Sequence, residues 1–252
     1  MTARWRIWRG PILLVAGLLV AWQILFVIAG EMALRSPLQT VVLTVRLLSG
    51  PQLWPHIGET MTAFAAAIFF SVTLGLATGL TLGFSRLAGL IFEPMLVAVY
   101  SIPKLTLYPI LLLTFGLGMS AKVAFGAIHG IIPISLFTIN AIRNIRPILI
   151  KTGRVLNYSA LEMAWRILIP AALPEIFTGI RIGFALTLIG TLLGEMFASQ
   201  RGLGNLLMRA MGLHNVDLIM VITFILTVVA AVASGLLLAI DRGLRHRMSA
   251  QE

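Results

Sequence analysis

The feature that most limits what this chain can fold into is a series of apolar runs too long for any soluble core. Residues 11–29, 60–84, 121–142, 176–196 and 216–240 carry at most two charged residues each. In helical form about 20 such residues cross the ~30 Å hydrocarbon layer of a bilayer. Lipid offers no partners to backbone N–H and C=O groups, so each run must satisfy its own as a helix. With 59% of its 252 residues hydrophobic and 11% charged, the chain is an integral membrane protein and not a soluble domain.

Taken in order, Arg4, Arg6 and Arg9 precede the first run. Val27 and Ala29 would suit signal-peptide cleavage, but the run is long enough to be kept as a span. Residues 31–59, with Pro37, Gly50, Pro51 and Pro55, read as an external loop holding one surface helix. The second run places Ser71, Gly75, Gly79 and Gly83 at four-residue spacing. Small residues on one helical face let backbones approach closely in lipid, and the stripe is read as packing within the chain. Gly126 and Gly130 repeat the pattern in the fourth run. Between them, residues 86–118 are apolar but interrupted by Pro94, Pro103 and Pro109, which predicts a third span with a broken middle.

Polar residues inside spans are functional candidates by default. Lys104 sits at the break, where it lines a pathway or snorkels to an interface. His129, near the middle of the fourth run, is either a solute contact or a satisfied core histidine. Glu195 ends the fifth run, as a gate or as a partner to backbone. Arg181 reads as snorkelling.

The membrane pattern fails between Arg143 and Arg181. Pro147 is placed to begin a short helix, Asn157 tolerates the left-handed conformation that ends one, and Ser159 with Glu162 has the spacing of a capping box for a second. Glu162 and Arg166 form an i, i+4 pair. Leu161, Ala164, Trp165 and Leu168 share a face, and Pro170 is expected to end this second helix. The result is an apolar knob on a basic, water-facing loop.

This loop resembles the "EAA" coupling loop of permease subunits of binding-protein-dependent ABC importers. The family pattern of Glu-Ala-Ala, three residues, Gly, nine residues and Ile-x-Leu-Pro falls here with Ile167 and Pro170 matched. Lys151, Thr152 and Gly153 then stand at Glu-Ala-Ala, Asn157 at Gly, and Ile169 at Leu. The segment from Tyr100 to Pro109, the run Thr114 to Gly118, and Glu195 with Gly202-Leu203-Gly204 are similar to the nitrate, sulfonate and taurine permease branch, which extends to pyrimidine-precursor permeases. The resemblance covers about residues 54–240. It implies an all-α integral membrane fold of about six transmembrane helices in the type I importer, MetI-like architecture, with residues 1–252 as one permease domain. An N-terminal helix lies at about 11–29 and the coupling loop at about 143–175. It further implies a second permease subunit, identical or not, an extracytoplasmic substrate-binding protein, and a separate ATP-binding subunit that docks on Lys151, Asn157, Ser159, Leu161, Glu162, Trp165 and Arg166.

Charge sets the orientation. Six spans put both termini and the loop on one side, with Arg4, Arg6, Arg9, Arg86, Arg143, Arg146, Lys151, Arg154, Arg166, Arg242, Arg245 and Arg247. The other side holds Arg35, Arg46, Lys122, Arg201 and Arg209. Twelve against five places the termini and loop in the cytoplasm, and the family resemblance implies a bacterial inner membrane. The net charge of +10 is scattered between spans, which argues for topology and contact with lipid headgroups and against nucleic acid. Other chemistry is missing: no phosphate-binding glycine loop, no metal-ligand spacing and no cysteine. No cofactor and no catalysis are expected of this chain, and ATP would be bound by the partner. The competing readings are a stand-alone secondary transporter or channel and an intramembrane enzyme.

Overall fold

The computed structural model describes residues 2–249, and among these every regular element is helical. The side chains of Arg4, Arg6, Arg9, Arg245 and Arg247 lie outside the described residues. Five helices are long and apolar enough to cross a membrane, and a bent pair makes a sixth candidate.

Helix α1 (Thr2–Ala29) stands at the periphery, with none of its most apolar window buried. It is tied to the rest near its C-terminal end, where Trp22 Nε1 donates to the Arg35 carbonyl at 3.0 Å and the indole leans on Phe224. Helix α2 (Pro37–Leu48) is the surface helix, started by a reciprocal box between Ser36 and Gln39. Helix α3 (Trp54–Phe84) starts six residues before the expected run, so the external loop is shorter than the sequence reading.

The proline-rich third span is broken. Helix α4 (Arg86–Ser101) ends at Ile102, a 3-10 turn covers Lys104–Leu107, and α5 (Tyr108–Phe115) leaves at 90° to α4. Pro94 is accommodated inside α4 and Pro109 in the first turn of α5, so the break falls at Pro103, the N-cap of the 3-10 turn.

Helix α6 (Met119–Arg143) is the centre of the molecule. Its apolar window is 67% buried, against 28% for α3. The stripe on α3 faces it: a Cβ on Gly75 would lie 2.8 Å from Ile134, and one on Gly83 3.0 Å from Ile142. Ser71 donates to the Ala127 carbonyl at 3.2 Å and shares a 2.9 Å hydrogen bond with Thr187 Oγ1, while Ser135 donates to the Gly75 carbonyl at 3.1 Å. These hydroxyls knit α3 and α6 to α9 (Ile169–Ala198), at roughly 0.6 kcal/mol each in a membrane interior.

Helix α7 (Pro147–Val155) follows, then α8 (Ala160–Met163), which corrects the expected role of Pro170. The second loop helix does not end there. A π turn over Ala164–Leu168, closed by the Ile169 N–H on the Ala164 carbonyl, carries α8 into α9 without a break. Proline is excluded from a regular helix because it lacks an N–H and its ring meets the carbonyl four residues back. The π turn just before Pro170 changes that geometry. One continuous span, Ala160–Phe197, therefore replaces the expected 176–196. Helix α10 (Leu203–Gly212), amphipathic and unforeseen, precedes α11 (Val216–Ser249).

Candidate functional site

The basic loop is built by local chemistry. Asn157 takes φ 54°, and the Tyr158 N–H returns to the Gly153 carbonyl at 3.0 Å, closing α7 with a left-handed residue. Gly153 is buried, and a Cβ there would lie 2.6 Å from the Met163 side chain, so the small residue lets α7 fold against the π turn. Ser159 and Glu162 form the reciprocal box at 3.1 and 3.3 Å. The Glu162–Arg166 pair is 3.7 Å apart, and the Arg166 guanidinium lies over the Tyr158 ring at 5.4 Å. All seven sequence-selected loop residues thus belong to one compact structure. Leu161 and Trp165 remain 68% and 65% exposed, with Val155 and Leu156 also open nearby and Lys151 at the surface. Charge covers such side chains poorly, and apolar clusters rimmed by charge mark contact surfaces.

The intramembrane candidates lie apart from this loop, and among the described residues no hydrogen bond joins them to one another, although the Lys104 ammonium is near enough to act on His129 electrostatically. Lys104 lies on the 3-10 turn at the break, its ammonium 4.3 Å from the centre of the Tyr100 ring and 3.3 Å from the Tyr100 carbonyl. His129 is buried, with Nδ1 2.7 Å from the Phe125 carbonyl and its ring edge-on to Phe125. Its room comes from Gly190, where a Cβ would come within 2.7 Å of the imidazole.

Glu195 is fully buried at the end of the molecule opposite the loop. Thr60 Oγ1 lies 3.0 and 2.8 Å from its two oxygens, and the Gly204 N–H donates at 2.9 Å. The carboxylate therefore sits at the N-terminus of α10, where the helix dipole favours an anion. Beside it is Lys122, counted in the sequence on the side opposite the loop and found at that end as a fully buried side chain in the first turn of α6. Its ammonium reaches Glu59 Oε1 at 2.7 Å, Ser199 Oγ at 3.1 Å, the Arg201 carbonyl at 3.4 Å and Glu195 Oε1 at 3.8 Å. At the loop end, Arg143 of α6 pairs with Glu93 of α4 across Gly89. Arg181 does not simply snorkel, since it lies 3.8 Å from Asp241 of α11. Among the described residues no cluster of His, Asp or Glu could hold a metal ion.

The Lys122 cluster and the Arg143 clamp were missed because their partners are 50 to 79 positions away. One signal was available: Lys122 is one of only three lysines and opens an apolar run, while Glu59 directly precedes another.

The sequence matches the family described as "binding-protein-dependent transport system inner membrane component" over residues 71–249. It is 26% identical to the taurine transport system permease protein TauC of Escherichia coli, covering 96% of this chain and 91% of the relative. It is 30% identical to a putative aliphatic sulfonates transport permease protein, SsuC of Bacillus subtilis, covering 81% and 74%. The backbone superimposes on a chain of the inward-facing MetNI methionine ABC transporter with a TM-score of 0.66 at 19% identity, covering 79% of this chain and 95% of that one. The fold is therefore that of an ABC importer permease, and α1 and α2 precede the matched family region. The secondary-transporter and intramembrane-enzyme readings fall with this result, because the family's subunits are non-catalytic and work within a larger transport system. With a knobbed, basic loop at one end and a core of tightly packed spans behind it, the chain belongs to the family of inner-membrane permease components of binding-protein-dependent transport systems.

Proposed function

We propose that this chain imports a small sulfonate-like anion as one of two permease subunits. The basic loop lies in the cytoplasm as the dock for an ATP-binding subunit, with both termini on that side, and a binding protein delivers solute to the opposite face. The observation that carries the reading is the exposed pair Leu161 and Trp165, held on a capped helix within a positively charged loop. An apolar knob in such a setting needs a complementary pocket, and Trp is a common anchor of protein contacts. The solute class follows the two relatives named for taurine and aliphatic sulfonates. Lys104 and His129 are candidate pathway residues, Lys104 as a cation beside the break in the third span. ATP binds to the partner, and its binding and hydrolysis shift the pathway between outward- and inward-facing states by their differential affinity for the two.

The test is affinity purification of the intact chain in mild detergent beside a Trp165→Ala variant. An ATP-binding subunit retained by the parent and lost from the variant is the expected result. A parent chain that purifies without such a subunit, and moves solute into vesicles without ATP, overturns the reading.

A further inference from the structure

We propose that Lys122 is the latch of the mouth opposite the loop: its ammonium holds the 199–202 segment against Glu59 and Glu195, and release of that segment opens the mouth. This rests on the permease reading, in which that end receives solute. A lysine is costly in this place. The first turn of a helix disfavours a cation, and a buried ammonium without partners is more costly still. Two carboxylates from α3 and α9 offset the charge, yet the remaining contacts, Ser199 Oγ and the Arg201 carbonyl, belong to the connection between α9 and α10. Lys122 is thus a tethered cation filling a cage of oxygens, and half of that cage is on a short, non-helical link. The same link borders a cavity of about 480 Å³ lined by Glu59, Leu117, Gly118, Ser199, Gln200 and Arg201. Just beyond it, Leu203 is fully buried in a cluster with Leu53, Val221 and Ile222 and its N–H donates to Thr60 Oγ1 at 2.8 Å, so it reports whether displacement of the link reaches the start of α10.

The chain has no cysteine, which makes a single-cysteine reporter clean. Leu203→Cys is labelled with a membrane-impermeant maleimide in right-side-out vesicles, with and without Lys122→Met, and Ile134→Cys in the middle of α6 serves as the control for general loosening. The expected result is labelling of the Leu203 reporter on the order of 100-fold faster without the ammonium, as loss of one partner of a buried pair implies, with the Ile134 control unchanged. Ser199→Ala, which removes the hydroxyl's bonds to the ammonium and to the Arg201 backbone but leaves the charges in place, gives a smaller rise in the same direction. In Lys122→Ala, ethylammonium restores slow labelling, because it refills the cage, and tetraethylammonium, which cannot donate hydrogen bonds, does not. Equal labelling rates with and without Lys122, or acceleration of both reporters together, overturn the latch. These outcomes are independent of the ATPase test: a chain that keeps its ATP-binding partner but ignores Lys122 loses only the latch, whereas a chain with no such partner loses the permease reading whatever its labelling.

Discussion

Replacing Gly75 by Ala and Gly235 by Ala should move stability in opposite directions, although both are glycine-to-alanine changes inside long helices. At Gly235 nothing lies within 4 Å of an added Cβ, so only the backbone effect remains, a gain of about 0.8–1 kcal/mol from helix propensity. At Gly75 the same atom would sit 2.8 Å from two carbons of Ile134 and 3.1 Å from the Ile131 carbonyl. Ordinary carbon contacts begin at ~3.5 Å, so α3 and α6 must separate by roughly 0.7 Å, and a gap of that size forfeits a quarter to a half of each pair's dispersion energy. Overpacking of this kind costs about 1–3 kcal/mol, which outweighs the propensity gain. The two variants should therefore differ by ~1–3 kcal/mol, or several degrees in thermal midpoint at about 2–4 °C per kcal/mol for a chain of this size. The assay is retention of the monodisperse peak after heating in detergent, read by size-exclusion chromatography. If Gly75→Ala raises the midpoint as Gly235→Ala does, the close approach of α3 to α6 is wrong.

Three further outcomes concern the loop. Lys151→Glu restores the acidic residue that the importer pattern has at this position and should raise transport-linked ATP hydrolysis in the assembled transporter; an unchanged rate removes charge pairing from the docking argument. Ser159→Ala breaks the box with Glu162 and should cost about 1 kcal/mol locally, seen as faster proteolytic cutting between α7 and α8 while the thermal midpoint of the transmembrane core stays put; equal cutting rates would refute the cap. Pro170→Ala restores an N–H and removes the ring that the π turn accommodates, so the segment should relax towards a regular helix and turn Trp165 by about 100°, one residue's rotation; co-purification of the ATP-binding subunit should fall, and full retention would show that the π turn does not aim the knob.

What could be read in the sequence was whatever depends on neighbours in the chain. The Ser159–Glu162 box and the left-handed Asn157 are set within four residues, the one surface helix of residues 31–59 is a local feature as well, and the Ser71-to-Gly83 stripe is a periodicity of one helix. Helix breaking at Pro170 is a local rule too, but it assumes the regular four-residue ladder, and the π turn at Ala164–Leu168 removes that assumption. The burial of Lys122 was not legible for a different reason. A charge at the end of an apolar run is normally a topological marker, and only the folded positions of Glu59, Glu195 and Ser199 make it a buried one.

The paired charges also bracket the membrane. From Lys122 to Arg143, α6 advances about 32 Å at 1.5 Å per residue, close to the thickness of the hydrocarbon layer, and each end has its carboxylate partner on another helix. A slab drawn between them leaves the knob outside on one face and the Lys122 cage at the other. The two are nonetheless carried by a single element, because the π turn keeps Ala160–Phe197 continuous from Leu161 to Glu195, a length of about 50 Å. A helix unbroken over that distance transmits displacement without crossing a flexible loop. Its two ends are fixed differently: Leu161 and Trp165 lie open to a partner, while Glu195 is held by Thr60 and by the N-terminus of α10. On the docking and latch proposals, movement imposed at the knob would reach the cage as strain on hydrogen bonds, the longest of which to the 199–202 segment are the 3.1 and 3.4 Å contacts of Lys122.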